Sequence, residues 1–133
     1  MKDRTKEWID FADKDWEVVE CIKDNPRLDS MIAFHGQQMT EKYLKAILEE
    51  NSVSFQKTHH LAKLYDLVSE NETNQFKIPE EYLDILDTVY IDTRYPSGSG
   101  LLPHGEMSES ERAKFLNIIT ELHNIFEKYF STI

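Results

Sequence analysis

The sequence predicts an all-α fold: an antiparallel up-down bundle of four helices with one additional short helix. Three observations carry that expectation. Apolar residues recur at three- and four-residue intervals over most of the chain, and no stretch alternates apolar and polar long enough to make a strand. The breakers are concentrated, because most of the four Gly and four Pro fall between Pro79 and Gly105. At 133 residues, with 40% hydrophobic and 11% aromatic side chains, the chain is long enough for one core and too short for two. Residues 1–133 therefore read as a single domain.

Each helix has its own justification. From about Thr5 to Asp24, the residues Trp8, Ala12, Trp16, Val19 and Ile22 fall on one face, and Asn25-Pro26 stops the run. A second helix runs from about Leu28 to Glu50, with Asp29 or Ser30 near its cap. Leu28, Ile32, Met39, Tyr43, Ala46 and Ile47 share one arc, and Asn51-Ser52 closes it. Thr58 is placed to cap a third helix carrying Leu61, Leu64, Tyr65 and Val68. Pro79 suits the first turn of a fourth, with Tyr82, Leu83, Leu86, Val89 and Tyr90 inward. Ser108 followed by Glu111 is a capping box opening the last helix, whose apolar residues are Phe115, Leu116, Ile119, Leu122, Phe126, Tyr129 and Phe130. Short connections between long helices favour antiparallel neighbours.

Composition narrows the function classes. The lone Cys21 leaves no internal disulfide and no Cys-based zinc site, and it reads as a small apolar helix residue in a reducing compartment. The N-terminal Met1-Lys2-Asp3-Arg4 leads into no apolar signal segment, and no apolar run is long enough to span a membrane. The expected location is the cytoplasm. The net charge of −10 argues against a broad nucleic-acid-binding face, since phosphate contacts rest on Lys and Arg. An RNA contact would be confined to a local groove or one shared with a partner.

Several polar residues break the apolar periods. His35, Gln38 and Lys42 form a stripe at the edge of the second helix's arc, while Glu41 and Lys45 lie further round, towards water. One reading makes this a solvated flank with a Glu41–Lys45 pair. The other has the stripe meeting Asp15, which sits in the apolar face of the first helix and needs a partner if buried; Lys42 or His35 would be a natural one. Arg112 and His123 fall on the last helix's arc, Arg112 read as snorkelling out and His123 as a satisfied histidine at the core edge. His59 and His60, following Lys57-Thr58, are either acid–base candidates or part of a surface turn. They are adjacent, so regular helix geometry does not let both bind one metal, and no HExxH or His-x3-His spacing exists. No metal or cofactor is expected. Arg94 beside the Ser97-Gly98-Ser99-Gly100 segment, with His104 following, offers a fork for phosphate or merely caps a helix before a tether. No GxSxG, Walker A or GxGxxG motif is present.

Taken in order, these blocks form a pattern. Ala12-x-x-Asp15-Trp16, then Phe34-His35-Gly36-Gln37-Gln38-Met39-Thr40-Glu41-Lys42-Tyr43-Leu44-Lys45-Ala46, then Phe55-x-Lys57-Thr58-His59-His60-Leu61, then Tyr90-Ile91-x-x-Arg94-Tyr95-Pro96 resemble the HEPN domain family. The resemblance implies four long helices plus a short one, a homodimer, and a minimal nucleotidyltransferase as partner in a toxin–antitoxin-like pair. Members of the family act as metal-independent ribonucleases, bind nucleotides, or serve as interaction modules. The ribonucleases carry Arg, four to six residues, then His. Here Arg94 and His104 are separated by nine residues, Arg112 and His123 by ten, and Arg27 and His35 by seven. That spacing matters because both side chains must reach one phosphodiester.

The expected function is thus a dimeric nucleotide-binding or interaction component of a HEPN–nucleotidyltransferase pair, with His35, Gln38, Lys42, Lys57, Arg94 and Tyr95 as the nucleotide-binding set. The alternative is a metal-independent endoribonuclease using Arg94 and His104, supported by His59, at the dimer interface. A non-catalytic helical adaptor is the third reading.

Overall fold

A computed structural model describes residues 1–71, 76–94 and 107–133. Among the described residues are five helices, α1 (Asp3–Ile22), α2 (Asp29–Glu50), α3 (Leu61–Asn71), α4 (Glu80–Arg94) and α5 (Glu109–Phe130), with a 3-10 turn at Pro26–Leu28. No strand occurs among the described residues.

The central element is α2, packed by α1, α3, α4 and α5. Its direction relative to its neighbours follows from cross-helix contacts. Thr5 Oγ1 donates to Glu50 and Tyr43 Oη to Asp13, so α1 runs antiparallel to α2. Arg112 meets Asp29 at one end of α5 and Phe126 stacks on Tyr43 further along, so α5 runs the same way as α2. Ile32, Met39, Tyr43, Leu44, Ile47 and Leu48 of α2 bury fully between Ala12 and Val19 on one side and Leu61, Leu64, Leu86, Ile119 and Phe126 on the other. Gly36 is where α5 comes closest: a Cβ there would lie 2.5 Å from Ile119 Cδ1 and 2.9 Å from its Cγ1.

Local chemistry explains the helix ends. Ser108 Oγ accepts from Glu111 N, and the Glu111 carboxylate accepts from Ser108 N, completing the capping box. The last turn of α2 closes with Val53 N donating to Leu48 O at 2.9 Å and Ser52 N to Glu49 O at 3.1 Å. Ser52 holds φ 57°, the left-handed conformation this closure requires. Pro79 stands just ahead of α4, its carbonyl accepting from Tyr82 N. Thr58 does not cap α3; its hydroxyl accepts from His60 N in a turn before the helix, whose first residue is Leu61.

Residues 51–60 differ most from the short connection the sequence suggests. After Val53 this segment returns along α2, with Phe55 near Lys45 and His59 at Gln37 and Glu41. It acts as a strap, and α3 begins beside the middle of α2 rather than at its end.

Two expectations are corrected here. Arg112 does not snorkel out: its Nε and Nη2 donate to both oxygens of Asp29, at 2.7 and 2.8 Å, and Asp29 is only 1% exposed. Its planar fork matches a carboxylate that also accepts from Met107 N. His123 stacks on Trp16, ring centroids 4.1 Å apart, but its buried Nδ1 has no hydrogen-bond partner, so it is not a satisfied histidine. Cys21 lies on α1, as expected of a helix residue, and is exposed.

Candidate functional site

The polar residues of α2 assemble two ion-pair knots on the face where α1 and the strap cross it. Asp15 enters from the apolar side of α1 and is 6% exposed. Lys42 Nζ donates to its Oδ2 at 2.7 Å, and His35 Nδ1 lies 2.8 Å from its Oδ1. His35 and Lys42 stand seven residues apart, two helical turns, so one carboxylate reaches both. Burying Asp15 is tolerable because each oxygen has a partner.

The second knot lies on the neighbouring edge of α2. Glu41 is 3% exposed and Lys45 8%, so the expectation that they face water is overturned. The strap is the reason: it covers the turn that an isolated helix would leave solvated. Glu41 Oε2 accepts from Lys45 Nζ at 3.2 Å, and Glu41 Oε1 lies 2.7 Å from His59 Nδ1. Lys45 Nζ is 5.4 Å from the Trp8 ring centroid and 5.9 Å from that of Phe55, an aromatic surround that suits a dehydrated ammonium. Gln37 Nε2 donates to the His59 carbonyl at 2.6 Å and Gln38 Nε2 to Gln37 Oε1 at 2.8 Å, which fixes the strap to the helix.

The consequence for His59 is specific. Its side chain is 71% exposed, yet its Nδ1 is anchored on a buried carboxylate, so Nε2 faces solvent in a set orientation. Behind it, Leu61 N donates to Asp87 Oδ2 at 3.1 Å, and burial raises the Asp87 carboxyl above its ordinary value despite that bond.

Beside the first knot stands Phe11, 52% exposed. Lys14 Nζ is 5.4 Å and Lys42 Nζ 5.9 Å from its ring centroid. A stacking face flanked by two ammonium groups results. Lys14 also pairs with Asp10 at 3.1 Å, and Lys42 with Asp15, so the local charge is largely offset.

Of the residues singled out from sequence, His35, Gln38, Lys42 and His59 gather on this face, and Lys57 lies exposed on the strap two residues before His59. Arg94 is the last residue of α4, two turns beyond Asp87, and its side chain falls outside the described residues. Tyr95, His104 and the 95–105 loop also lie outside them. Sequence reasoning missed Phe11, Gln37, Asp29 and Asp87. Phe11 carried a readable signal, since it sits outside the apolar arc of α1 marked by Trp8, Ala12 and Trp16.

A family model described as HEPN domain matches residues 5–129, nearly the whole chain. No curated protein and no solved structure gives a significant match. Among the described residues no helix is long and apolar enough to cross a membrane.

Proposed function

The chain belongs to the HEPN domain family, and on that premise we propose that it is a dimeric, nucleotide-binding component of a HEPN–nucleotidyltransferase pair in the cytoplasm. The observation that carries the nucleotide reading is the half-exposed Phe11 ring between Lys14 and Lys42. Base stacking needs an exposed ring, and the flanking ammonium groups suit the phosphates. Because Lys14 is paired with Asp10 and Lys42 with Asp15, the ring contributes more than net charge does. Dimerisation and the nucleotidyltransferase partner rest on family membership.

Calorimetric titration with ATP and GTP tests this reading. Phe11→Ala, at a surface position, should weaken binding by about tenfold or more. Absence of heat for either nucleotide, or equal binding by Phe11→Ala, removes it. Sedimentation tests the dimer: a monomer at micromolar concentration counts against that part.

A second reading, endoribonuclease activity without a metal, draws support from the Glu41–His59 pair. A buried carboxylate holding Nδ1–H leaves Nε2 to take a proton from an RNA 2′-hydroxyl as that oxygen attacks the adjacent phosphorus; the P–O5′ bond breaks, the 5′-oxygen leaves as a hydroxyl after taking a proton from water, and a 2′,3′-cyclic phosphate remains. Arg94, at the end of α4, is the residue assigned to the charge on the phosphorane.

A further inference from the structure

Between α1 and α5, with Tyr43 of α2 as one wall, lies a half-open cavity of about 360 Å³ lined by Ile9, Asp13, Trp16, Tyr43, His123 and Phe130, with the exposed Glu17 and Glu127 at its rim. We propose that this cavity is a binding site for a small organic polycation, an alkyl chain with an ammonium group at each end.

Its lining has the chemistry such a cation needs. Three carboxylates, Asp13, Glu17 and Glu127, border it, and no lysine or arginine does. The floor is aromatic: Trp16, Tyr43 and Phe130, with His123 stacked on Trp16 at an interplanar angle of 8°. Ring faces attract an ammonium group and accept the methylene chain between two of them. Tyr43 Oη donates to Asp13 Oδ1 at 2.5 Å, which ties that carboxylate to the wall of the cavity. Burial and that carboxylate push the Tyr43 hydroxyl far above its ordinary range, so it stays a donor.

His123 supplies an independent observation. Its Nδ1 is the one buried side-chain polar atom among the described residues without a hydrogen bond, and Glu127 Oε2 is 3.7 Å away. Unpaired polar atoms inside folded proteins are uncommon. An N–H of a bound amine, with a small shift of the ring, gives it a partner. A compact metal ion fits less well, since no three His, Cys, Asp or Glu groups converge as ligands among the described residues. The carboxylates are also spread, Asp13 and Glu17 one turn apart on α1 and Glu127 across on α5. That spread favours a cation with two charged ends over one with a single charge.

The two tryptophans provide the readout. Spermidine titrated into the ¹⁵N-labelled protein at constant ionic strength should shift the Trp16 indole N–H signal saturably. Trp8, which packs against Phe55 outside the cavity, is the internal reference and should not move. Glu17→Gln and Glu127→Gln, at exposed positions, should each weaken the effect about tenfold, as should replacing spermidine by propylamine. Equal shifts at Trp8 and Trp16, an unchanged midpoint in both Gln variants, or propylamine binding as tightly as spermidine would overturn the proposal. So would no shift at millimolar spermidine.

Discussion

His59 Nδ1 lies 2.7 Å from Glu41 Oε1, joining a side chain that is largely in water to one that is almost wholly excluded from it. The strap and α2 meet there, and the pairing gives the ribonuclease reading its sharpest test. If His59 is the proton acceptor, the purified protein cleaves single-stranded RNA in EDTA, leaving cyclic phosphate ends. His59→Gln should then reduce the rate by about 10²-fold or more. Cleavage that survives His59→Gln unchanged, or none by the wild type on varied RNAs, rejects that reading.

Asp15 is a stability residue by the same reasoning. Replacing it with Asn keeps the shape but removes the counter-charge of Lys42 and the carboxylate oxygen that His35 Nδ1 meets, in a half-buried setting. The expected loss is about 2–3 kcal/mol. Urea denaturation should show a lower midpoint with an unchanged slope. A midpoint within error of wild type would mean that water screens the pair as it does surface ion pairs.

Gly36 is set by the approach of α5. Gly36→Ala places a methyl against Ile119, which is fully buried, and overpacking of this kind costs about 1–3 kcal/mol. The better helix propensity of Ala offsets about 1 kcal/mol of that. Ile119→Val removes Cδ1, the nearer of the two atoms the methyl would meet, so on the Ala background it should recover part of the loss, although alone it is destabilising. A double-mutant cycle with no coupling would show that the two helices simply move apart.

Acid pH should act through Glu50. A hydrogen bond from the Lys2 backbone N–H, with the Thr5 hydroxyl adding to it, lowers the Glu50 carboxyl below its ordinary 4.5. The folded state therefore holds the ionised form more strongly than the unfolded state does. This stabilisation is fully present above 4.5 and disappears as pH falls through the lower folded-state value. Glu50→Gln should be less stable than wild type at neutral pH, with the gap narrowing below that range. Thermal melts across the acid range check this, and a constant gap would contradict it.

The helices themselves were legible in the sequence. Three- and four-residue spacing marks every buried face, and Ser108 with Glu111 marks the start of α5, because caps and amphipathic arcs are written in residues close together along the chain. Asp15 was legible as well, since a carboxylate on an apolar face has to find a partner, and Lys42 and His35 were the nearest charges on offer. What a helical wheel cannot contain is the strap. It treats Glu41 and Lys45 as solvated, whereas the return of residues 51–60 across α2, with Trp8 of α1 against Lys45, covers them and hands Glu41 to His59. The same holds for Asp29 with Arg112, 83 residues apart, and for His123 on Trp16. The sequence by itself thus determined the helices, the HEPN resemblance and the polar residues that interrupt the apolar arcs. Tertiary structure alone decided which of those polar residues meet, because burial depends on which distant segment covers a face.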